Sequence, residues 1–295
     1  MAIESPVQRL AWVSTPSAQG RDPDEPLGIA ALTAMGVTAE VVHWNDPSVD
    51  WSSFDRVVMR SPWDYPDHLD EFLAWIDRVD AVTELRNPVP PMRWSLDKHY
   101  LAELRDAGVP ITPTVFVEPG DTADFPNGGW VVKPSVGAGS RDAAAYRDGQ
   151  QELAAAHVAR LHARGLTALV QPLLPAVATE GEWPMVFFGG RYSHAASKRV
   201  DLPVAGEVDG LFAAEVNVPH VADPEQIAVA EMAYEVVRQR FGDLTYARVD
   251  LVRGLDGGYC VMELELVEPA LFLDADPQAA ENFVDAFLSL TEDAV

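Results

Sequence analysis

The sequence predicts an α/β protein that begins with an open, largely parallel sheet flanked by helices and continues into a strand-rich remainder. Three observations carry that expectation. Short β-branched runs alternate with helical apolar patterns through residues 9–80. The middle of the chain places strands on either side of an alanine-rich helix, and the last third holds two hairpin patterns.

In chain order, "RLAWVST" reads as a strand, Pro26 to Met35 as a helix stopping at Gly36, and "VTAEVVHW" as a second strand. "FDRVVMRS" is the third. "HLDEFLAWIDRV" follows as an amphipathic helix with Leu69, Phe72, Leu73 and Ile76 on one face. Ligands of open sheets gather where strands end. The loop "RSPWDYP" therefore offers a substrate wall of Arg60, Ser61, Trp63, Asp64 and Tyr65. It reads equally as a proline-fixed turn whose tryptophan packs inward.

The proline-rich "NPVPPMRW" reads as a linker and places a first domain at 1–92. "SLDKHYLAELRDAG" then has a helix start signal at Ser95 and a stop at Gly108. "PTVFV", the strand in "WVVKPSVGAGS", a helix from about Gln150 to Arg164 and the strand "ALVQPLL" make a small αβ unit, closing a middle domain at 93–172. Across 173–295, "EWPMVFFGGRYSHAASKRV" is a hairpin turning at Gly189 and Gly190. A helix from about Pro224 to Arg240 precedes "YARVDLVRG" and "YCVMELELVEP", joined at "LDGG", and "AENFVDAFLSL" forms a last helix.

A formal net charge of −25 disfavours nucleic-acid backbones and anionic membranes, both of which require clustered Lys and Arg. No apolar stretch approaches bilayer length, and "MAIESPVQRLAWV" lacks the basic start and long apolar core of a signal peptide, so a cytoplasmic location is expected. The single cysteine, Cys260, excludes an intrachain disulfide and a cysteine-rich zinc site, and reads as a small buried hydrophobe.

Lys133 ends an apolar run and precedes Ser135, Gly137, Gly139 and Ser140, a loop whose backbone can approach an anion closely. Lys-Pro after a strand is also ordinary turn chemistry. The loop matches neither G-x-x-x-x-G-K-[ST] nor G-x-G-x-x-G. Glu263 and Glu265 stand two apart on a strand and share a face, and Asp250 can face them across the ladder. Three such carboxylates repel one another unless a cation sits between them, and magnesium takes a few carboxylates plus nucleotide phosphates. Alternating acids also suit the wet face of an antiparallel sheet. Arg248, Lys198 and Arg199, in apolar surroundings, supply cations for phosphate oxygens.

Taken in order, "LDKHYL", "VVKPSVGAGS", "VQPLL", "RVDLV" and "MELELVEP" resemble the ATP-grasp superfamily, arranged as in its glutathione synthetase-like carboxylate–amine ligases. The resemblance covers nearly the whole chain. It implies an ATP-grasp fold with an N-terminal α/β substrate domain, a small lid, and a C-terminal domain with a magnesium site, ATP lying between the last two. It further implies that Lys98 and Lys133 contact the ATP phosphates and that the loop Ser135 to Ser140 folds over them. Gln171 would meet the adenine amino group, the backbone of Leu173 and Leu174 the base edge, and Glu180 or Glu182 the ribose. Asp250, Glu263 and Glu265 would hold magnesium. Arg199 and Arg248, with Lys198 as a further cation, would bind the γ-phosphate or the reacting carboxylate.

The activity implied is transfer of the γ-phosphoryl group to a small amino-acid or peptide carboxylate, followed by displacement of phosphate by an amine. Such chemistry asks mainly for positioning and charge neutralisation. His194 lies in a suitable strand but reads as structural, and no general base is assigned. Many members have Glu-x-Asn where this chain has Glu263 and Glu265. "ELELVEP" and "EGEWPMVFFGGRYSH" are most similar to a branch that includes the enzyme closing the ring of D-cycloserine, where attack occurs within one molecule. Ring closure is thus one alternative. The others are a nucleotide-binding protein without turnover and a metal-dependent hydrolase that uses no nucleotide. Dimers are frequent among similar enzymes, which makes a homodimer the oligomer to test.

Overall fold

In the computed structural model, residues 7–126, 128–139, 141–200 and 215–289 are described; the expected lid residue Ser140 and the segment 201–212, read from the sequence as a variable loop of the substrate pocket, lie outside them. The first sheet contains β1 (Arg9–Ser14), β2 (Thr38–His43), β3 (Arg56–Ser61) and β4 (Glu84–Arg86), all parallel in the order β2-β1-β3-β4. Every residue of β3 and all but the first of β1 are buried, as strands covered on both faces must be. Helices α1 (Asp24–Ala34) and α2 (Leu69–Asp80) follow β1 and β3.

Helix α2 buries Phe72, Trp75, Ile76 and Val79, whereas Leu69 and Leu73 of the expected face are half-buried. Trp75 rotates that face. Its ring meets those of Trp51 and Trp44 at 5.1 and 6.0 Å, and an indole covers more apolar area than a leucine.

"NPVPPMRW" is not a linker. It forms most of α3 (Val89–Leu96), which buries Pro91 and Met92. Its prolines occupy the first turn, where the missing N–H would have had no partner within the helix. Ser95 lies inside α3, so the next helix, α4 (Tyr100–Asp106), does not start there. Between them Asp97 is extended and bridged to Val136, and the Lys98 N–H donates to the Ser135 carbonyl at 2.9 Å. Gly108, at φ +86°, stands just beyond the end of α4.

The second sheet is antiparallel, β5 (Val115–Val117), β6 (Trp130–Pro134), β7 (Ala144–Tyr146) and β8 (Ala168–Pro172) running in the order β5-β8-β6-β7. Helix α5 (Gln151–Ala163) packs Ala154, Val158 and Leu161 against it. β7 was not expected, since "AAY" is short and alanine is a weak strand former.

The third sheet follows α6 (Pro175–Thr179). It contains β9 (Trp183–Phe188), β10 (Arg191–Val200), β11 (Glu215–His220), β12 (Tyr246–Arg253) and β13 (Tyr259–Glu265), antiparallel in the order β11-β10-β9-β12-β13. Gly189 and Gly190 turn the first hairpin at φ +52° and +78°. Helix α7 (Pro224–Phe241), opened by a capping box of Asp223 and Gln226, lays Val229, Ala230, Ala233 and Val237 on this sheet. The free edge of β13 is covered: the Val261 N–H donates to the Pro110 carbonyl at 2.9 Å, and the Thr112 N–H to the Val261 carbonyl at 2.8 Å.

Beyond β13 the chain crosses to the first sheet and is pinned there. Arg60 Nη2 donates to the Pro269 carbonyl at 2.6 Å, and Asp24 accepts the Leu273 N–H at 2.8 Å. Helix α8 (Ala279–Leu288) then brings Phe283 edge-on to Trp12, with ring centroids 5.9 Å apart. The first and third sheets thus share a core, which includes Leu10, Val186, Phe188 and Phe283. Among the described residues, no helix is long and apolar enough to cross a membrane.

Candidate active site

A cleft opens between the second and third sheets, and the loop after β3 closes one end. Lys98 and Lys133 line one side; Glu182, Lys198, Arg248 and Glu263 line the other. The pairing of β12 with β13 sets Asp250 opposite Glu263 and Arg248 opposite Glu265. One carboxylate oxygen from each of Asp250, Glu263 and Glu265 lies within 4.8 Å of the others.

Cations surround this cluster. Lys133 Nζ is 2.7 Å from Glu263 Oε1, and Lys98 Nζ is 3.8 Å from the same oxygen while donating to the Gly137 carbonyl at 3.1 Å. Lys198 Nζ contacts Glu182 at 2.7 Å and Asp250 at 3.4 Å. Arg248 grips Asp250 with two parallel bonds of 2.7 and 2.9 Å and also pairs with Glu265. Burial opposes charge on Glu263, but the two lysines outweigh it and hold the carboxyl well below its usual range. Asp250 behaves likewise, with burial overcome by Arg248 and Lys198. Burial prevails at Glu265, which is raised although Arg248 opposes it.

An all-oxygen donor set of three converging carboxylates fits magnesium, and the surrounding amines fit the phosphate oxygens a metal leaves uncovered. Further along the cleft, buried Gln171 on β8 donates to the Thr114 hydroxyl at 2.9 Å. Leu173 and Leu174 follow it; the Leu173 N–H is engaged by the Gly129 carbonyl at 2.8 Å. The loop after β6 leans toward the first sheet, where Ala138 joins a core with Met59 and Tyr65 and Arg141 pairs with Asp67.

Residues 10–87 match the family described as D-cycloserine synthetase DcsG, N-terminal domain. The cycloserine biosynthesis protein DcsG of Streptomyces lavendulae is 41% identical over 290 residues, covering 94% of this chain and 97% of that protein. The chain belongs to the DcsG family of ATP-grasp ligases.

The crystal structure of D-cycloserine synthetase DcsG superposes with a TM-score of 0.86 at 39% identity, over 95% of this chain and 98% of that one. A structure of the ATP-grasp ligase PsnB complexed with a phosphomimetic variant of its minimal precursor, Mg and ADP superposes at 0.60. Its identity is 19%, over 96% of this chain and 99% of that one, which shows a shared fold. The chain is accordingly an ATP-dependent ligase that forms carbon–nitrogen bonds on the ATP-grasp fold its motifs resemble.

Several residues expected in the site stand outside the cleft of this DcsG-family ligase. Arg60 is fully buried, held by Asp24 and by the Met59 and Pro269 carbonyls, because a guanidinium without solvent needs such partners. The Ser61 hydroxyl donates to that of Ser14 at 2.9 Å, and Asp64 accepts from Trp44 Nε1 at 2.7 Å and from the Thr15 hydroxyl. Trp63 and Tyr65 do face the cleft. Arg199 is exposed and reaches the Thr179 carbonyl at 3.4 Å, since successive strand residues point to opposite faces and its neighbour Lys198 points in. Glu180 pairs with Arg253 at 2.9 Å, leaving Glu182 as the acid on the cleft. Gly137 and Gly139 line the cleft while Ser135 is buried off it.

His194 is structural in its contacts: its Nε2 lies 2.8 Å from the Leu271 carbonyl, and burial lowers its pKa. Cys260 is buried, as expected. Sequence reasoning missed Glu268. Its buried carboxyl lines the cleft and accepts a hydrogen bond from Tyr65; burial, then the charge of Glu265, push it up to about 8. Burial and Glu268 together raise the Tyr65 phenol well above its usual value, keeping it a neutral donor. The signal was an acid inside the otherwise apolar "LVEPALFL", three residues past the alternating pair that drew attention.

Proposed function

We propose that this protein closes the ring of D-cycloserine, activating the carboxylate of an acyclic D-amino acid with ATP and joining it to an oxygen-linked nitrogen of the same molecule. The observation that supports this is a single cleft lined both by the lysine–carboxylate cluster and by Trp63, Tyr65 and Glu268, in a chain 41% identical to a cycloserine biosynthesis protein across nearly its full length.

The work divides among the three sheets much as the sequence domains 1–92, 93–172 and 173–295 divide the chain. Asp250, Glu263 and Glu265 would hold magnesium, which when bound neutralises the triphosphate. Lys98 and Lys133 bind phosphate oxygens from the opposite wall, and the Gly137–Gly139 turn lies over them. Gln171 and the Leu173–Leu174 backbone take the adenine, and Glu182 the ribose. Trp63 and Tyr65 form the substrate wall, and Arg248 orients the substrate carboxylate toward the γ-phosphorus.

A carboxylate oxygen attacks that phosphorus and ADP leaves, giving an acyl phosphate. The nitrogen attacks the acyl carbon, the carbon–oxygen bond to phosphate breaks, and the nitrogen loses a proton as phosphate departs. Fixed cations and water exclusion supply most of the catalysis. Incubation with ATP, magnesium and a D-serine derivative bearing the oxygen-linked nitrogen, followed by mass spectrometry, is expected to give one D-cycloserine per ADP. ADP release only when a separate amine is added, with that amine in the product, would instead establish ligation between two molecules.

A further inference from the structure

The acids along the cleft are not equivalent. Glu182, Glu263 and Glu265 each have a lysine or arginine in contact. Among the described residues, Glu268 has no cation within ion-pair distance; Lys98 and Arg248 act on it only at longer range. Only 8% of Glu268 is exposed, and it lines the cleft. An ionised carboxylate buried without a cation is costly, so the protein gains when something supplies one.

The surroundings of Glu268 are fixed before anything binds. The Tyr65 hydroxyl donates to its carboxylate, and the Tyr65 ring stacks on Phe72 with centroids 4.8 Å apart and planes 23° apart. Trp63 Nε1 donates to the Glu268 carbonyl at 3.3 Å, and Arg60 holds the next carbonyl, that of Pro269, at 2.6 Å. Arg60 near the end of β3 and Trp63 and Tyr65 just beyond it therefore position this acid. A side chain held so closely, yet left without a counter-ion, suits a cationic ligand group arriving from the cleft.

Resting on the function proposed above, we infer that Glu268, positioned by Tyr65, is the receptor for the α-ammonium group of the substrate and selects amino acids over plain carboxylic acids. Arg248 lines the same cleft and answers the carboxylate. The two opposite charges in one pocket match the two charges of an α-amino acid.

Calorimetry near neutral pH, with magnesium and ADP present, tests this on two pairs of probes: D-cycloserine against isoxazolidin-3-one, the same ring without the amino group, and D-alanine against propanoate. The wild type is expected to prefer the amine-bearing member by about tenfold or more, and Glu268→Gln to remove that preference while leaving the amine-free member unchanged. Glu268→Asp, which keeps the carboxyl group, is expected to restore part of it. In turnover, Glu268→Gln should raise KM for the amino-acid substrate with KM for ATP unaltered. Equal weakening of both members by Glu268→Gln, or a fall in kcat with selectivity intact, would overturn the assignment in favour of a structural or general-base role. If neither ring binds the wild type but D-alanine is preferred and Glu268→Gln abolishes the preference, the ring-closing function fails and the ammonium receptor stands. No preference in either pair overturns the receptor.

Discussion

Glu263, half-buried on β13, and Glu268, buried three residues beyond the end of that strand, line the same cleft and carry opposite electrostatic fates. Two lysines hold Glu263 well below its normal pKa, although burial opposes them, whereas burial and a neighbouring acid carry Glu268 up to about 8. The four cations gathered at one end, Lys98, Lys133, Lys198 and Arg248, suit a ligand that brings negative charge. The deficit at the other suits one that brings positive charge. On the proposed reading, a substrate pocket and a nucleotide pocket are told apart by what each lacks.

The largest effect that could break this contrast is at the metal cluster. Glu263→Gln is expected to cut ADP formation on the order of a thousandfold at saturating ATP, measured by coupled assay, because the proposed magnesium ligand and the anchor of Lys133 are lost together. A residual rate within tenfold of wild type would show that the cation-rich end is not the reacting end.

Gly28→Ala serves as a control away from both acids. A Cβ there would lie 2.3 Å from the Trp12 ring, so overpacking is expected to destabilise the protein by about 1–3 kcal/mol in urea unfolding, leaving both KM values unchanged. A change in substrate selectivity would mean that the pocket depends on the shared core more than on local charge.

The pH dependence of stability sharpens the contrast from the other side. Glu268 titrates at about 8 in the folded protein against the model-compound value of 4.5, so the folded state binds more protons between those values. Its contribution to stability is present below pH 4.5 and is lost as pH rises through 8. Glu268→Gln lacks this loss, and its Tm relative to wild type is expected to rise by about 2–5 °C between pH 5 and pH 9 in ligand-free scans. A constant difference across that range would contradict the buried, unpaired state of the acid. The smallest effect is expected at Arg199: replacement by Ala should alter kcat/KM by no more than about threefold, as the side chain is exposed on the far face of β10.

Much of this was legible in the sequence because it depended on short periods. β1, β3, the two hairpins and the Asp250–Glu263–Glu265 cluster follow from strand alternation and apolar runs, which act over neighbouring residues. Period-two reasoning should also have separated Lys198 from Arg199, since adjacent strand residues cannot share a face. What escaped depended on distant parts of the chain. The prolines of 88–91 read as a break, but their position in a first turn becomes clear only once Met92 and Leu96 are seen packed in the core. Arg60 looked like a ligand-binding cation until Asp24 and Pro269, far away in sequence, proved to enclose it. Glu268 stood out only as an acid in an apolar run, because its meaning lies in the absence, among the described residues, of a cation in ion-pair contact with it.

The most direct test of the account is a crystal structure of the protein with magnesium and ADP. It should place the metal among the carboxylates of Asp250, Glu263 and Glu265, with the Lys98 and Lys133 amines on the phosphates. Nucleotide bound away from this cluster, with Lys133 still paired to Glu263 and no metal between the acids, would contradict it.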